Sequence, residues 1–353
     1  MNQVLTPSSA TRFQALGDMD HQTYQQHSLH GSDRAWVETN CYIDVWIEVL
    51  HSLKLNPVAC MSMVFALDFD GDQWTFYKPP HEDLFALYGI DVQELNVWRS
   101  LLENACTQLQ RGRLVLTEAD SFYLPDTLGT DYRSNHVKTT IAIQEIDLEQ
   151  QRLGYFHNSS YHQLSGEDFV KTFRVGAPHD ATFMPLFAEF VRLDHLHYAD
   201  DQALAIISIS LLAKHLARRQ KHNPISLFMP VFIADVERLK TEGLAAYHAY
   251  AFATLRQLGA GFSIGASYLR WLQQSLVMAD DAAEQLNTAA AHFEAISDET
   301  KTLLLKTARA VMGKKPVDLT PGLIEMAQHW QSGIDQLTIF VGEQSKANCK
   351  VSG

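Results

Sequence analysis

The sequence predicts an α+β domain followed by an all-helical domain, and three observations carry that expectation. A stretch with helical apolar spacing, TNCYIDVWIEVLHSL, precedes short runs rich in β-branched and aromatic residues, and from about Asp200 the apolar period is helical almost throughout. The 353 residues are 46% hydrophobic and 20% charged, a globular composition that excludes disorder as the main state and is long enough for two domains.

Residues 1–32 are polar and weakly periodic, which predicts an N-terminal arm whose order depends on packing. Next, Ile43, Trp46, Ile47 and Leu50 recur at helical spacing, with Asp44, Glu48 and His51 on the opposite face. Asn40 or Thr39 suits the N-cap, which places Cys41 at the helix start. The runs 62–67, 74–77, 114–118, 136–146 and 152–157 read as strands, with a helical insert over roughly 80–110. The last two strands flank the polar loop DLEQQ as an antiparallel hairpin would. The domain boundary is expected near GAPHDAT (176–182), giving a first domain over 33–175 and a helical domain over 176–353.

Charge and hydropathy narrow the function classes. Lys+Arg total 28 against 41 Asp+Glu, so the net charge is −13, and such a chain repels a phosphate backbone unless its cations cluster. The longest nearly apolar run, Ala203–Ala213, is about half the ~20 residues that a membrane span needs. The N-terminus has no basic stretch leading into an apolar core, so a cytoplasmic location is expected. The four cysteines form no CxxC pair and are expected as free thiols; His195 and His197 lack a third spaced ligand, so no metal is expected.

The chemistry-bearing residues are Cys41, His136 and Asn158. A thiol in the first turn of a helix meets the positive end of the helix dipole, which favours thiolate, although a small buried hydrophobe is the commoner role of a cysteine. Cys60 and Cys106 read as such core residues, and Cys349 lies in the polar tail. His136 opens one strand and Asn158 follows the next, so a hairpin would make them neighbours, with Asn158 orienting the imidazole as base.

The segment 41–169 resembles the papain-like fold in its bacteriocin-processing branch, where a Cys-headed helix is followed by a sheet carrying the His and an acid or amide. Within it, DSFYLPDTLGTDYRSNHVKTTIAIQEID, then YFHN, then YHQLSGEDF is similar to the N-terminal domain of butirosin-type acyltransferases. The block DRAWVETNCYIDVWIEVLH, with GDQWTFYKPP and LYGIDVQELNVWR, also resembles an uncharacterised bacterial family found alongside carrier-protein genes. The resemblance implies Cys41 as nucleophile, His136 as general base and acid, and Asn158 as orienter. Position 35 is Ala where many papain-like enzymes carry a Gln that donates to the oxyanion, leaving Asn40, Thr39 or the Cys41 amide as candidate donors. Such a donor contributes ~3 kcal/mol to the transition state.

The implied activity is an acyltransferase that moves an acyl or aminoacyl group from a carrier-protein thioester through Cys41 to a small-molecule amine. It needs no cofactor beyond the phosphopantetheine of the partner. A cysteine hydrolase with the same triad and a non-catalytic binding protein are the alternatives. Docking of the acidic carrier is expected at the basic run Lys214, Arg218, Arg219 and Lys221, against the plainer reading of a solvated helix end. Asp68, Asp70 and Asp72 read as a turn between strands, because position 79 is Pro where a calcium loop needs Glu. The glycines of GAGFSIGAS (259–267) are expected to let two helices approach closely.

Overall fold

The computed structural model describes residues 11–177 and 184–351, with side chains through residue 344. In chain order the first half runs β1 (Arg12–Gln14), α1 (Cys41–Ser52), β2 (Phe69–Asp70), β3 (Gln73–Trp74), α2 (His81–Tyr88), β4 (Asp91–Glu94) and α3 (Leu101–Leu109). There follow β5 (Leu114–Asp120), β6 (Lys138–Asp147), β7 (Arg152–His157), β8 (Ser160–Ser165), α4 (Glu167–Phe173) and β9 (Ala188–Arg192). The rest is helical: α5 (Asp201–Arg218), α6 (Pro224–Glu242), α7 (Leu244–Ala253), α8 (Leu255–Ser275), α9 (Asp280–Gly313) and α10 (Thr320–Val351). The architecture is therefore mixed α/β with a C-terminal all-helical region. Among the described residues no helix is long and apolar enough to cross a membrane.

The chain divides into two units that interleave in sequence. The sheet unit comprises the chain up to Ser28, Asp44–Leu55 and Tyr88–His197, while the helical unit comprises Leu29–Ile43, Asn56–Leu87 and the chain from Tyr198 on. The division falls inside α1, after Ile43. Part of the boundary expected at 176–182 falls on residues 178–183, outside the described residues. The sheet does not end there: β9 pairs with both β4 and β5, so the sheet-bearing part extends to Arg192.

In the sheet unit seven antiparallel strands form one sheet in the order β4-β9-β5-β6-β7-β8, with β1 beside β6. Strand β6 is long enough to pair twice on the same edge, with β5 over Lys138–Ile143 and with β1 over Glu145–Asp147. The β6–β7 hairpin has the expected antiparallel pairing across DLEQQ, with a register shift between Ile143 and Glu145. One face packs a core on α3 and α4: Val115, Ile141, Ile143, Leu153 and Tyr155 from the strands meet Leu109, Phe169 and Phe173. The arm expected over residues 1–32 is tied down where it is described, because β1 supplies a strand and Tyr24 stacks edge-on against Phe156.

Helix α1 begins at Cys41 as expected, but its polar face is not solvated. Asp44 and Glu48 are fully buried along with Ile43, Trp46, Ile47 and Leu50. Glu48 is satisfied by the hydroxyl of Tyr24 at 2.7 Å and the amide of His27 at 3.0 Å, as a buried carboxylate must be.

In the helical unit the run read as a strand at 62–67 is instead part of a buried 3-10 segment, Pro57–Ala66. Asn56 caps it by accepting from the Val58 amide at 3.0 Å, and Pro57 supplies a helical φ without needing a donor. A short, wholly apolar run does not tell a buried strand from a buried helix by its period. The run at 74–77 shrinks to the two-residue β3, which pairs with β2 across the Asp70–Gln73 turn, where Gly71 takes φ +67°. The glycines of α8 admit close neighbours that are mostly not another α-helix: a Cβ on Gly259 would lie 2.3 Å from the Trp36 ring and 3.0 Å from Thr300 of α9, and one on Gly265 3.0 Å from Val64 of the 57–66 segment.

Candidate functional site

Cys41 is the first residue of α1, half-buried and not disulfide-bonded. The residue that fixes this helix start is Asn40. Its side-chain oxygen accepts from the amides of Tyr42 at 3.2 Å and Ile43 at 3.0 Å, while its side-chain nitrogen donates to the Tyr77 carbonyl at 3.2 Å. Asn40 is thus a cap and a tether, and its hydrogen bonds hold the helix end. Thr39 is buried beside it. Beyond the thiol, the Tyr42 hydroxyl shares a 3.1 Å hydrogen bond with Nε2 of His81, and Lys78 Nζ sits 4.6 Å over the Tyr42 ring.

His136 lies in the sheet unit just ahead of β6, and the side chain bonded to its ring is not the expected Asn158. Its Nδ1 bonds Oδ2 of Asp120 at 2.6 Å, and its ring stacks on Phe122 with centroids 4.3 Å apart and planes 10° apart. Asp120 ends β5 and pairs with Lys138, so the antiparallel register itself brings acid and imidazole together. Asn158 stands elsewhere. It occupies the tight turn between His157 and Ser160 with φ +48°, a conformation that Asn tolerates better than most residues. Extending the β6–β7 register places it across from Thr140, four residues and ~13 Å along the strand from His136.

A second histidine–carboxylate pair was not anticipated. His157 Nδ1 bonds Asp126 Oδ2 at 2.5 Å, and its Nε2 shares a 2.8 Å bond with the Thr139 hydroxyl. The Tyr155 hydroxyl donates a short bond to the other Asp126 oxygen. Burial alone would raise Asp126, but the hydrogen bond and charge of His157, with His162 and Tyr155, outweigh it and hold the carboxyl below its ordinary range. Burial, helped by the neighbouring His157, lowers His162 against the pull of Asp126. The Asp–His–Thr connectivity is that of a catalytic triad, yet His157 is 1% and Thr139 7% exposed, and both nitrogens of His157 are occupied. This cluster therefore reads as a structural lock between β6, β7 and the turn carrying Asp126.

The His136–Asp120 pair, by contrast, opens on a cavity of about 1030 Å³ in the sheet unit. Leu101, Asp120, His136, Lys138, Lys171 and Arg174 are among its lining residues, drawn from α3, the β5–β6 region and α4. Neither Asp120 nor Asp126 was singled out from the sequence. For Asp120 a signal existed: an acid closing one strand and a His opening its antiparallel neighbour must meet, but the 17-residue connection hides the pairing.

The basic run is only partly available for docking. Lys214 Nζ bonds the buried Asp83 at 2.8 Å, and His215 Nε2 bonds the same carboxylate at 2.6 Å. Lys214 is therefore an internal partner and not a docking cation. Burial would raise Asp83, but His215 and Lys214 lower it on balance. Arg218 and Lys221 are exposed and Arg219 half-buried. Among the described residues no group of three or more His, Cys, Asp or Glu could hold a metal.

A comparison with curated proteins finds no match. Family models match in two parts, the DUF1839 N-terminal domain over residues 25–193 and the DUF1839 C-terminal domain over residues 201–339. The first match ends just after β9 and the second begins with α5, so the matched segments follow the change from sheet to helices. The chain belongs to the DUF1839 family.

Proposed function

We propose that this protein is a thiol-dependent acyltransferase of papain-like type that accepts an acyl or aminoacyl group from a carrier-protein thioester. The observation that carries the reading is Cys41 itself, a half-buried thiol at the first position of a helix whose start is pinned by Asn40. The sulfur attacks the thioester carbonyl, the C–S bond to the carrier's phosphopantetheine breaks, and the departing thiolate takes a proton. An amine then attacks the Cys41 thioester, giving up a proton as the Cys41 thiolate leaves. Exchange between thioesters is nearly isoenergetic, so the energy needed to form an amide is conserved.

We assign the proton-transfer role to His136. Among the described residues its Nε2 carries no hydrogen bond, whereas both nitrogens of His157 are taken. Asp120 takes the orienting part that the sequence had suggested for Asn158. The exposed Arg218 and Lys221 are proposed to contact the acidic carrier.

Intact-protein mass spectrometry of the full chain with an acylated carrier protein tests this. The expected result is an adduct of the acyl mass that is absent in Cys41→Ala and forms ~10²–10⁴-fold more slowly in His136→Ala. Addition of an amine should discharge it as amide. Adduct formation in Cys41→Ala, or none in the wild type, refutes the reading; discharge to free acid despite the amine identifies a hydrolase.

A further inference from the structure

The cavity in the sheet unit has a charge pattern opposite to that of the whole chain. The protein carries −13, yet the cavity lining includes four cations, Arg99, Lys138, Lys171 and Arg174, against two carboxylates, Glu118 and Asp120. Both carboxylates are already engaged inside the lining, Glu118 with Lys138 Nζ at 3.1 Å and Asp120 with His136 at 2.6 Å. Arg99 lies over the Trp98 ring at 4.4 Å, and among the described residues neither Arg99 nor Lys171 forms an ion pair.

Unpaired cations gathered in a concave site raise the local concentration of anions and meet an oxyanion with charge-assisted hydrogen bonds. The remaining lining includes Val97, Leu101, Val170, Phe173 and Leu186, with Ser100 and Thr172 as further polar side chains. A volume of about 1030 Å³ is at the upper end of what small-molecule sites use.

We infer that this cavity binds a small molecule that carries an oxyanion on an apolar body, the charged end meeting Arg99 and Lys171 and the body lying on the aliphatic lining. Carboxylate and phosphate share this head-group chemistry. The His136–Asp120 pair assigned to proton transfer lines the same cavity, yet the inference requires only occupancy of a site built within the sheet unit and not acyl transfer by Cys41.

Isothermal titration of the full chain with decanoate, decyl phosphate and decanol, each below its micelle-forming concentration, tests it. The expected result is one-to-one binding of at least one anion, with decanol at least tenfold weaker; the tighter anion identifies the head group. The double variant Arg99→Glu/Lys171→Glu should weaken the anion at least tenfold and leave decanol within twofold. Both charges sit near the surface, and Arg99→Gln/Lys171→Gln, checked by circular dichroism, gives the same comparison if the reversal does not fold. Cys41→Ala should bind like the wild type, which separates this test from failure of the acyl-transfer reading. Absence of anion binding, decanol binding as tight as the anions, or an anion affinity untouched by the double variants overturns the inference.

Discussion

Asp126→Asn is the most informative single substitution in the sheet unit. The carboxylate is 6% exposed and accepts two bonds, from the Tyr155 hydroxyl and from His157 Nδ1, with His162 Nε2 3.9 Å away. Asparagine keeps the shape, but it can accept only through one oxygen and turns an NH₂ toward the other donor. One charge-assisted bond is lost and the second loses its charge, at ~1.5–3 kcal/mol for a bond to a charged group, so a net cost of about 2–4 kcal/mol is expected. At 1.36 kcal/mol per tenfold, amides of β6, β7 and β8 should exchange roughly thirty- to a thousandfold faster in native-state hydrogen exchange.

The sign with pH is also fixed. Asp126 is lowered in the folded protein, so its contribution is fully present above the unfolded value of ~3.9 and is lost as pH falls through the folded value. The gap in melting temperature between wild type and Asp126→Asn should therefore narrow as pH falls below about 4. Other lowered carboxylates, Asp83 and Glu145 among them, titrate in both proteins and cancel in the comparison. Unchanged exchange in β6–β8, or a gap that stays constant down to pH 3, would show that Asp126 does not lock these strands.

Three further outcomes are expected. Asp83→Ala leaves the buried His215 and the half-buried Lys214 without their shared carboxylate and should cost about 3 kcal/mol, read as a fall in urea midpoint of the helical unit; a loss under 1 kcal/mol contradicts the pairing. Gly259→Ala places a Cβ 2.3 Å from Trp36, whose Nε1 donates to Ser297 at 2.9 Å, so a cost of ~1–3 kcal/mol and a shifted Trp36 emission should follow; an unshifted spectrum would mean that α8 gives way instead. Asn158→Ala should cost ~1 kcal/mol through its φ of +48° but leave acyl loading at the wild-type rate, whereas Asp120→Asn should slow loading; the reverse order would restore Asn158 as orienter.

Legibility followed the range of the physics. Helix α1 was readable because its cap and apolar spacing lie within a dozen residues, and the β6–β7 hairpin because two β-rich runs flank a five-residue polar loop. The segment 57–66 was not, since an all-apolar run has no period to read and the decision fell to the Asn56 cap and Pro57. The polar side of α1 also misled: Glu48 reads as solvated until Tyr24 and His27, more than twenty residues earlier, are brought over it. Strand β9 escaped because five residues, AEFVR, separated from the other strands carry too little pattern.

The candidate site shows the same limit in a sharper form. Residue type and strand position were enough to single out His136, but not to say which acid would hold it. Asn158 was the nearer choice by hairpin logic, and the hairpin does form; what sets Asn158 apart from His136 is the register, which pairs Ala142 with Phe156 and so puts Asn158 opposite Thr140, inside β6 and short of His136. The pairing that matters is the other edge of the same strand, where Asp120 faces Lys138. A strand has two edges, and a slip of a few residues moves a partner by ~3.3 Å per residue, more than a hydrogen bond can span. The identity of an orienting group in a sheet is therefore decided by long-range register on both edges of its strand, which a single sequence encodes only through the packing of the whole sheet.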